Sequence, residues 1–344
     1  PWPMGEGHQA PGTNSFYNLS MSSKSAGTQT VNSNFFAKLT LPFNITYQFT
    51  FAPRYSWAQD RNWSSSESVF DTTHGSATRA SSRSIVWTLD NIIKWNYTFA
   101  QKHLVDVTLL QSAEQSQYWS ESMTGKQFSP TDILEWHNMQ SANEKTFSSN
   151  DEKYTGDALM ARLFYSYDNR YMLTASVRRD GFSAFGRSNT RATFPSLALA
   201  WNFSNESFFN WDPMSNGKLR ISWGKNGNRD IGIYQALSQL TTGSGISKYS
   251  YATSAGTLYE LSTLQIERMA NNDLKWESTA SWNVGLDFGF LNNRINGSLE
   301  WYYMPTTDLL MDRTLPNISG YSSVVTNLGK VVNSGFEKIG RAHV

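Results

Sequence analysis

The chain has 344 residues, of which 14% are aromatic and only 17% charged, against about a quarter charged in an ordinary soluble domain. A net charge of +1 with no basic block excludes a polyanionic partner such as nucleic acid, and the absence of cysteine excludes disulfides and thiolate metal sites. No apolar run approaches the roughly 20 residues of a membrane helix, and mean hydropathy is -0.48. A membrane β-barrel stays open, because its strands alternate lipid-facing and water-facing residues and average out as hydrophilic.

Taken in chain order, residues 1–27 read as loop. Pro1-Trp2-Pro3-Met4 has neither the basic nor the apolar stretch of a signal peptide, so an internal fragment of an exported protein is expected. From Ile45 the odd positions are Ile45, Tyr47, Phe49 and Phe51, then Tyr55 and Trp57; the even ones are Thr46, Gln48, Thr50, Ala52, Arg54 and Ser56. A helix would scatter these two sets around its circumference, whereas a strand sorts them onto two faces. The pattern returns at Trp87–Phe99, Leu159–Tyr167, Tyr171–Val177, Leu197–Phe203, Ala280–Phe290 and Ile295–Tyr303. About ten to eleven strands are expected, most near the 9–11 residues that cross a bilayer at a tilt.

The connections alternate in length. Pro42–Asn44, Gln101–His103, Asp168–Arg170 and Asn292–Asn293 read as tight turns. Between them Ala58–Arg83, Ser120–Gly156, Lys225–Lys275 and Met304–Asn327 read as long loops, with a moderate one at Gly181–Thr190. Asn202–Gly217 is irregular, with a helical turn expected over Ser204–Asn210. Short turns at one rim and long loops at the other are the habit of outer-membrane barrels. Phe49, Trp95, Leu163, Leu199, Trp282 and Leu299 are expected to face lipid, and Thr50, Lys94, Arg162, Asn283 and Glu300 the lumen. Aromatics at the strand ends fit two interfacial girdles: Phe99, Tyr165, Tyr167, Tyr171 and Phe290 near the tight turns, Trp57, Trp276, Trp301 and Tyr303 near the long loops.

No catalytic, metal or cofactor site emerges. His8, His74, His103, His137 and His343 lack ligand spacing. Gly224-Lys-Asn-Gly227 reads as a strand-tip turn, and the Asp180-Gly181 of Arg178-Arg-Asp-Gly181 as turn chemistry. The sequons at Asn96 and Asn296 fall in expected membrane strands, so they read as chance matches. The loop aromatics Trp63, Tyr118, Trp119, Trp136, Tyr234, Tyr249, Tyr251 and Tyr259 suit sugar rings or peptides, but outer-membrane loops of any purpose share this composition, so no binding residue is singled out.

The segment Tyr171-Met-Leu-Thr-Ala-Ser-Val-Arg-Arg-Asp-Gly-Phe-Ser-Ala-Phe-Gly-Arg187, followed by Ala192–Trp201, closely resembles the SusC/RagA-like family of TonB-dependent outer-membrane transporters of Bacteroidetes-type bacteria. Lys218–Asn228, Leu274–Phe290, Thr307-Asp-Leu-Leu310 and Thr326–Glu337 are similar to further family words, in the family's order. The resemblance implies an all-β antiparallel barrel of 22 strands, closed around an N-terminal plug that this sequence does not show. It implies a Gram-negative outer-membrane location, energy delivered by the TonB complex, a SusD-like surface lipoprotein as partner, and glycans or oligopeptides as substrate. Residues 1–338 are then part of the barrel, and Ile339–Val344 reads as a non-native tail because the pattern breaks there. A partial barrel should form an open sheet with two bare edges, an aggregation hazard for the isolated chain. Two other readings stand beside the importer: a passive porin or adhesin barrel, and a soluble β-rich carbohydrate-binding module.

Overall fold

A computed structural model describes residues 21–68, 73–129, 133–241, 248–252, 254, 256, 258–262, 264–321 and 323–342. The strands are β1 (Ser22–Asn32), β2 (Phe35–Leu41), β3 (Ile45–Ser64), β4 (Ser76–Phe99), β5 (His103–Phe128), β6 (Ala142–Tyr167), β7 (Tyr171–Phe182), β8 (Arg191–Trp201) and β9 (Met214–Asn228). Then follow β10 (Gln239–Thr241), β11 (Lys248–Ala252), β12 (Leu258–Ser262), β13 (Gln265–Arg268), β14 (Glu277–Phe290), β15 (Ile295–Thr307), β16 (Leu310–Thr314), β17 (Ser323–Asn327) and β18 (Lys330–Ala342).

Twelve strands make one sheet in the order β1-β3-β4-β5-β6-β7-β8-β9-β14-β15-β18, with β2 also on β3. β1 and β2 share that neighbour because the chain merely breaks at Ser33–Asn34, where the Ser33 N–H still reaches the Pro53 carbonyl at 3.0 Å. The order follows the sequence, as hairpin after hairpin requires. Among the described residues β1 and β18 stand at the two ends of this order and do not pair with one another. Strands β10, β13, β17 and β16 build a smaller sheet, and β11 with β12 a hairpin.

The tight turns use left-handed backbone. Asp168 and Asn169 sit at φ 52°, and Asn292 and Asn293 at 56° and 62°, where Asp and Asn side chains are tolerated. Phe43 (64°), Ala100 (44°) and Leu291 (53°) take the same region with less excuse. Hydrogen bonds link one turn to the next: Asp168 N–H to the Lys102 carbonyl (2.7 Å), Asn202 N–H to Arg170 (2.8 Å) and Leu291 N–H to Pro213 (2.9 Å). The turns at 100–102, 168–170 and 291–294 therefore share one rim, as their alternation with longer connections requires.

Several boundaries move. Ser22–Gly27, expected as loop, belong to β1 and pair with Ser64–Gln59 of β3; residues 1–20 lie outside the described ones. Ala58–Arg83 and Ser120–Gly156 are largely strand, because β3 to β6 run for 20 to 26 residues. Polar residues on both faces erase the period-two signal there without breaking the ladder. The helical turn is a single 3-10 turn at Phe203–Asn205, and β9 starts early, at Met214. Ile339–Ala342, expected outside the fold, continues β18 opposite Ser298–Ile295; His343 and Val344 are not described.

Two compact units form: Pro1–Phe35, Thr50–Leu89 and Glu114–Tyr154 in one, Phe36–Phe49, Asp90–Ala113 and Thr155–Val344 in the other. The first is held by ladders and by polar pairs such as Thr78–Thr124 (3.1 Å) and Gln127–Glu144 (2.8 Å). Its small apolar centre contains Trp136, Ala77 and Ala142, all buried. The second carries the two-faced wall described next.

Candidate functional site

Register decides which side chains share a face, since residues directly opposite in an antiparallel pair point the same way. Leu163 lies opposite Ala175, Ala175 opposite Leu197, Leu197 opposite Trp223, Trp223 opposite Trp282 and Trp282 opposite Tyr303. The next row runs Tyr165, Leu173, Leu199, Ile221, Val284, Trp301 and Phe336. One face of six or seven strands is thus apolar, and it is exposed: Leu199, Trp282 and Leu299 are 51%, 47% and 44% accessible. So large an apolar surface needs a non-aqueous neighbour. Tyr167 and Tyr171 (6.4 Å apart) and the run Trp95, Tyr97 and Phe99 edge this face near the tight turns, as an interfacial girdle would.

The other face holds Arg162, Ser176, Ser196, Asn283 and Glu300. At its centre Arg220 of β9 donates Nε and Nη2 to the two carboxylate oxygens of Asp287 (2.8 Å each), and Nη2 again to Glu300 (2.8 Å). Asn283 adds its amide to Glu300 at 3.2 Å. Arg220 reaches β15 by lying across β14, where Gly285 leaves it room: a Cβ there would sit 3.1 Å from the guanidinium, which would have to shift by a few tenths of an ångström. Paired charges with such geometry belong to a water-facing wall rather than to lipid. Arg178 and Asp180 form a similar pair along β7 (2.9 Å). Asp180-Gly181, expected as turn chemistry at a strand end, lie at the end of β7 and are still paired with β8, the turn following one residue later. Gly224–Gly227 is also strand rather than a tip turn, and Gly227 is bare because the Phe194 ring lies over it.

At the tight-turn rim Glu206 is buried, with its carboxylate accepting from the Arg170 guanidinium and the Trp201 indole (3.0 Å each). The Tyr171 hydroxyl first, then Trp201 and Arg170, hold this carboxyl below the ordinary 4.5, against burial that pushes it up. Its charged form therefore adds stability above pH 4.5, which is lost as pH falls through the lowered folded value. Comparing Glu206→Gln with the parent by denaturant midpoint should show a gap that is open at neutral pH and narrows in acid. A gap that widened on acidification would contradict this.

At the opposite rim three family-like words meet. Trp276 is 7% exposed and lies among Phe182, Phe185 and Phe194, with ring centroids 6.5, 4.7 and 5.6 Å away. The Gly186 N–H donates to the Leu274 carbonyl (3.1 Å), and Leu274 is fully buried. A Cβ on Gly186 would collide with the Asn272 carbonyl oxygen, so only glycine permits this approach. Asn327 closes the clasp, donating to the carbonyls of Lys275 (2.8 Å) and Asp308 (2.9 Å) and accepting from the Lys275 N–H (2.9 Å). Trp276, expected in the outer girdle, is a loop anchor instead.

The loop aromatics fall on several elements, and two of them, Tyr251 and Tyr259, stand opposite one another in the β11–β12 hairpin. Trp63 ends β3, Tyr118 and Trp119 lie within β5, and Trp136 is buried in a 3-10 turn. Tyr249 and Tyr251 lie in β11, while Tyr234 and Tyr259 are exposed. Asn96 and Asn296 are in β4 and β15, within the barrel wall. His103 bonds the Tyr165 hydroxyl (2.8 Å) at the girdle, and among the described residues no three potential metal ligands gather.

The TonB dependent receptor-like, beta-barrel family matches residues 4–337. TonB-dependent receptor P26 of Formosa agariphila is 28% identical over 343 residues, 95% of this chain and 33% of that protein. TonB-dependent receptor SusC of Bacteroides thetaiotaomicron is 39% identical over 178 residues, 51% of this chain and 17% of that protein. The chain thus spans about a third of the length of the first relative and less of the second. The RagAB peptide transporter superposes with a TM-score of 0.81 at 24% identity, over 95% of this chain and 35% of its own, a likeness of fold. A wall with an exposed apolar face and paired charges on the other, matched over residues 4–337, makes this chain a member of the outer-membrane TonB dependent receptor-like β-barrel family.

Proposed function

We propose that the parent of this chain is an energised importer of glycans or oligopeptides, driven through TonB and supplied by a SusD-like surface lipoprotein. The observation that carries the reading is the register itself, which sets an exposed apolar face against a salt-bridged polar one across β6 to β9, β14 and β15. A barrel of roughly 22 strands has a lumen wide enough to leak unless plugged, so directed uptake needs a gate and an energy source. The outer clasp around Trp276 gives the loops a fixed base from which to meet substrate. No catalytic step is assigned to the chain. The test is uptake by cells carrying the full-length parent, with and without functional TonB. Uptake should fall to background when TonB is lost; unchanged uptake would overturn the reading in favour of a passive porin.

A further inference from the structure

The exposed apolar face carries polar groups that a plain lipid contact does not explain. The Tyr47 hydroxyl donates to the Asn91 side-chain oxygen (2.7 Å), and the Asn91 amide donates to the Gln111 oxygen (2.6 Å). Among the described residues the amide nitrogen of Gln111 meets no acceptor, and Arg179 has no ion-pair partner. Both border a groove of about 460 Å³ whose walls are Ile93, Leu109, Leu159 and Val177, all exposed apolar side chains. Leu159 stands directly opposite Arg179, so the guanidinium is on the apolar face and not on the lumen side.

Depth is legible from the strands. Asn91 precedes Phe99, the end of β4, by eight residues; Gln111 follows His103, Leu159 precedes Tyr167 and Arg179 follows Tyr171 by the same interval. At about 3.3 Å per residue and a tilt near 40°, eight residues climb roughly 20 Å. That is close to the top of an apolar band about 25 Å tall. The top is the outer boundary, because tight turns mark the periplasmic rim. The neighbouring charges do not neutralise Arg179: Asp157 is taken by Arg191, which leaves one surplus cation. An unpaired guanidinium and a free amide at the rim of hydrocarbon are costly unless a polar group meets them.

We propose that this groove holds a phosphorylated lipid of the outer leaflet, the lipid A of lipopolysaccharide, with one acyl chain between Leu109 and Leu159. Its phosphate sits on Arg179 and its acyl carbonyl accepts from Gln111. Arginine suits this task because its fork matches phosphate oxygens in pairs.

The experiment uses the full-length parent in detergent and measures, by mass spectrometry, lipid retained after a delipidating wash. The probes are lipid A and the same lipid with its phosphates removed. The parent should retain the phosphorylated form about tenfold better. Arg179→Gln should abolish that preference, and Lys225→Gln, an exposed cation of the same face on β9, should leave it intact. Equal loss in both variants would mean unspecific attraction to cations, and no loss in either would mean no site; both outcomes overturn the proposal. Loss of a dimer in Arg179→Gln, with lipid retention unchanged, would assign the groove to a second copy and overturn it too.

Discussion

Arginine in place of Leu286 should destabilise the complete, membrane-inserted protein by about 2–4 kcal/mol. Leu286 lies between Leu219 of β9 and Leu299 of β15, in a row of the apolar face that also holds Trp201. A guanidinium there must either stay in hydrocarbon or bend the wall to reach an interface. The next residue supplies the control. Asp287 faces the other way and accepts two of the three hydrogen bonds from Arg220, so Asp287→Asn is not free. Arg220 nevertheless keeps Glu300, and half-exposed pairs of this kind contribute about 0–1 kcal/mol. Unfolding of the two variants in lipid vesicles should separate them clearly. Equal effects would mean that the two faces have been assigned the wrong way round.

Truncating Trp276 to alanine should cost about 3–5 kcal/mol of local stability, the range for deleting a buried aromatic. Three phenyl rings close on the indole, and Gly186 and Leu274 bind the two loops beneath it by a backbone hydrogen bond. Removing the indole leaves a cavity that Phe185, itself 3% exposed, cannot fill while its backbone is tied at Gly186. The effect should be confined to the outer rim. Limited proteolysis of the folded parent should cut the connections after β7 and before β14 while the strands stay protected. Trp276→Phe should recover much of the loss, and a variant as resistant as the parent would remove the clasp from this account.

How much of this was open to sequence alone follows from the period of each element. Where one side of a strand meets lipid and the other water, alternation is strong, and β7, β8, β14 and β15 could be read residue by residue. Beyond Ala58 in β3 and beyond Ser120 in β5 both faces are polar, so the alternation vanishes while the ladder continues. Trp276 follows the parity of a lipid-facing residue, and nothing local distinguishes an indole in a girdle from one under a loop. The Arg220–Glu300 bond was hidden because it skips a strand and depends on register. Gly285, a bare position at the middle of β14, is a trace of it in the sequence, but Gly289 in the same strand makes the signal unspecific.

The Arg220 group has a consequence for strand alignment. Its guanidinium grips Asp287 of β14 and, past that strand, Glu300 of β15, so one side chain spans three neighbouring strands. A slip of one residue in either ladder would carry a carboxylate to the apolar face and leave the arginine without it. The cluster is thus a pin that admits one alignment of β9, β14 and β15 and penalises every shifted one.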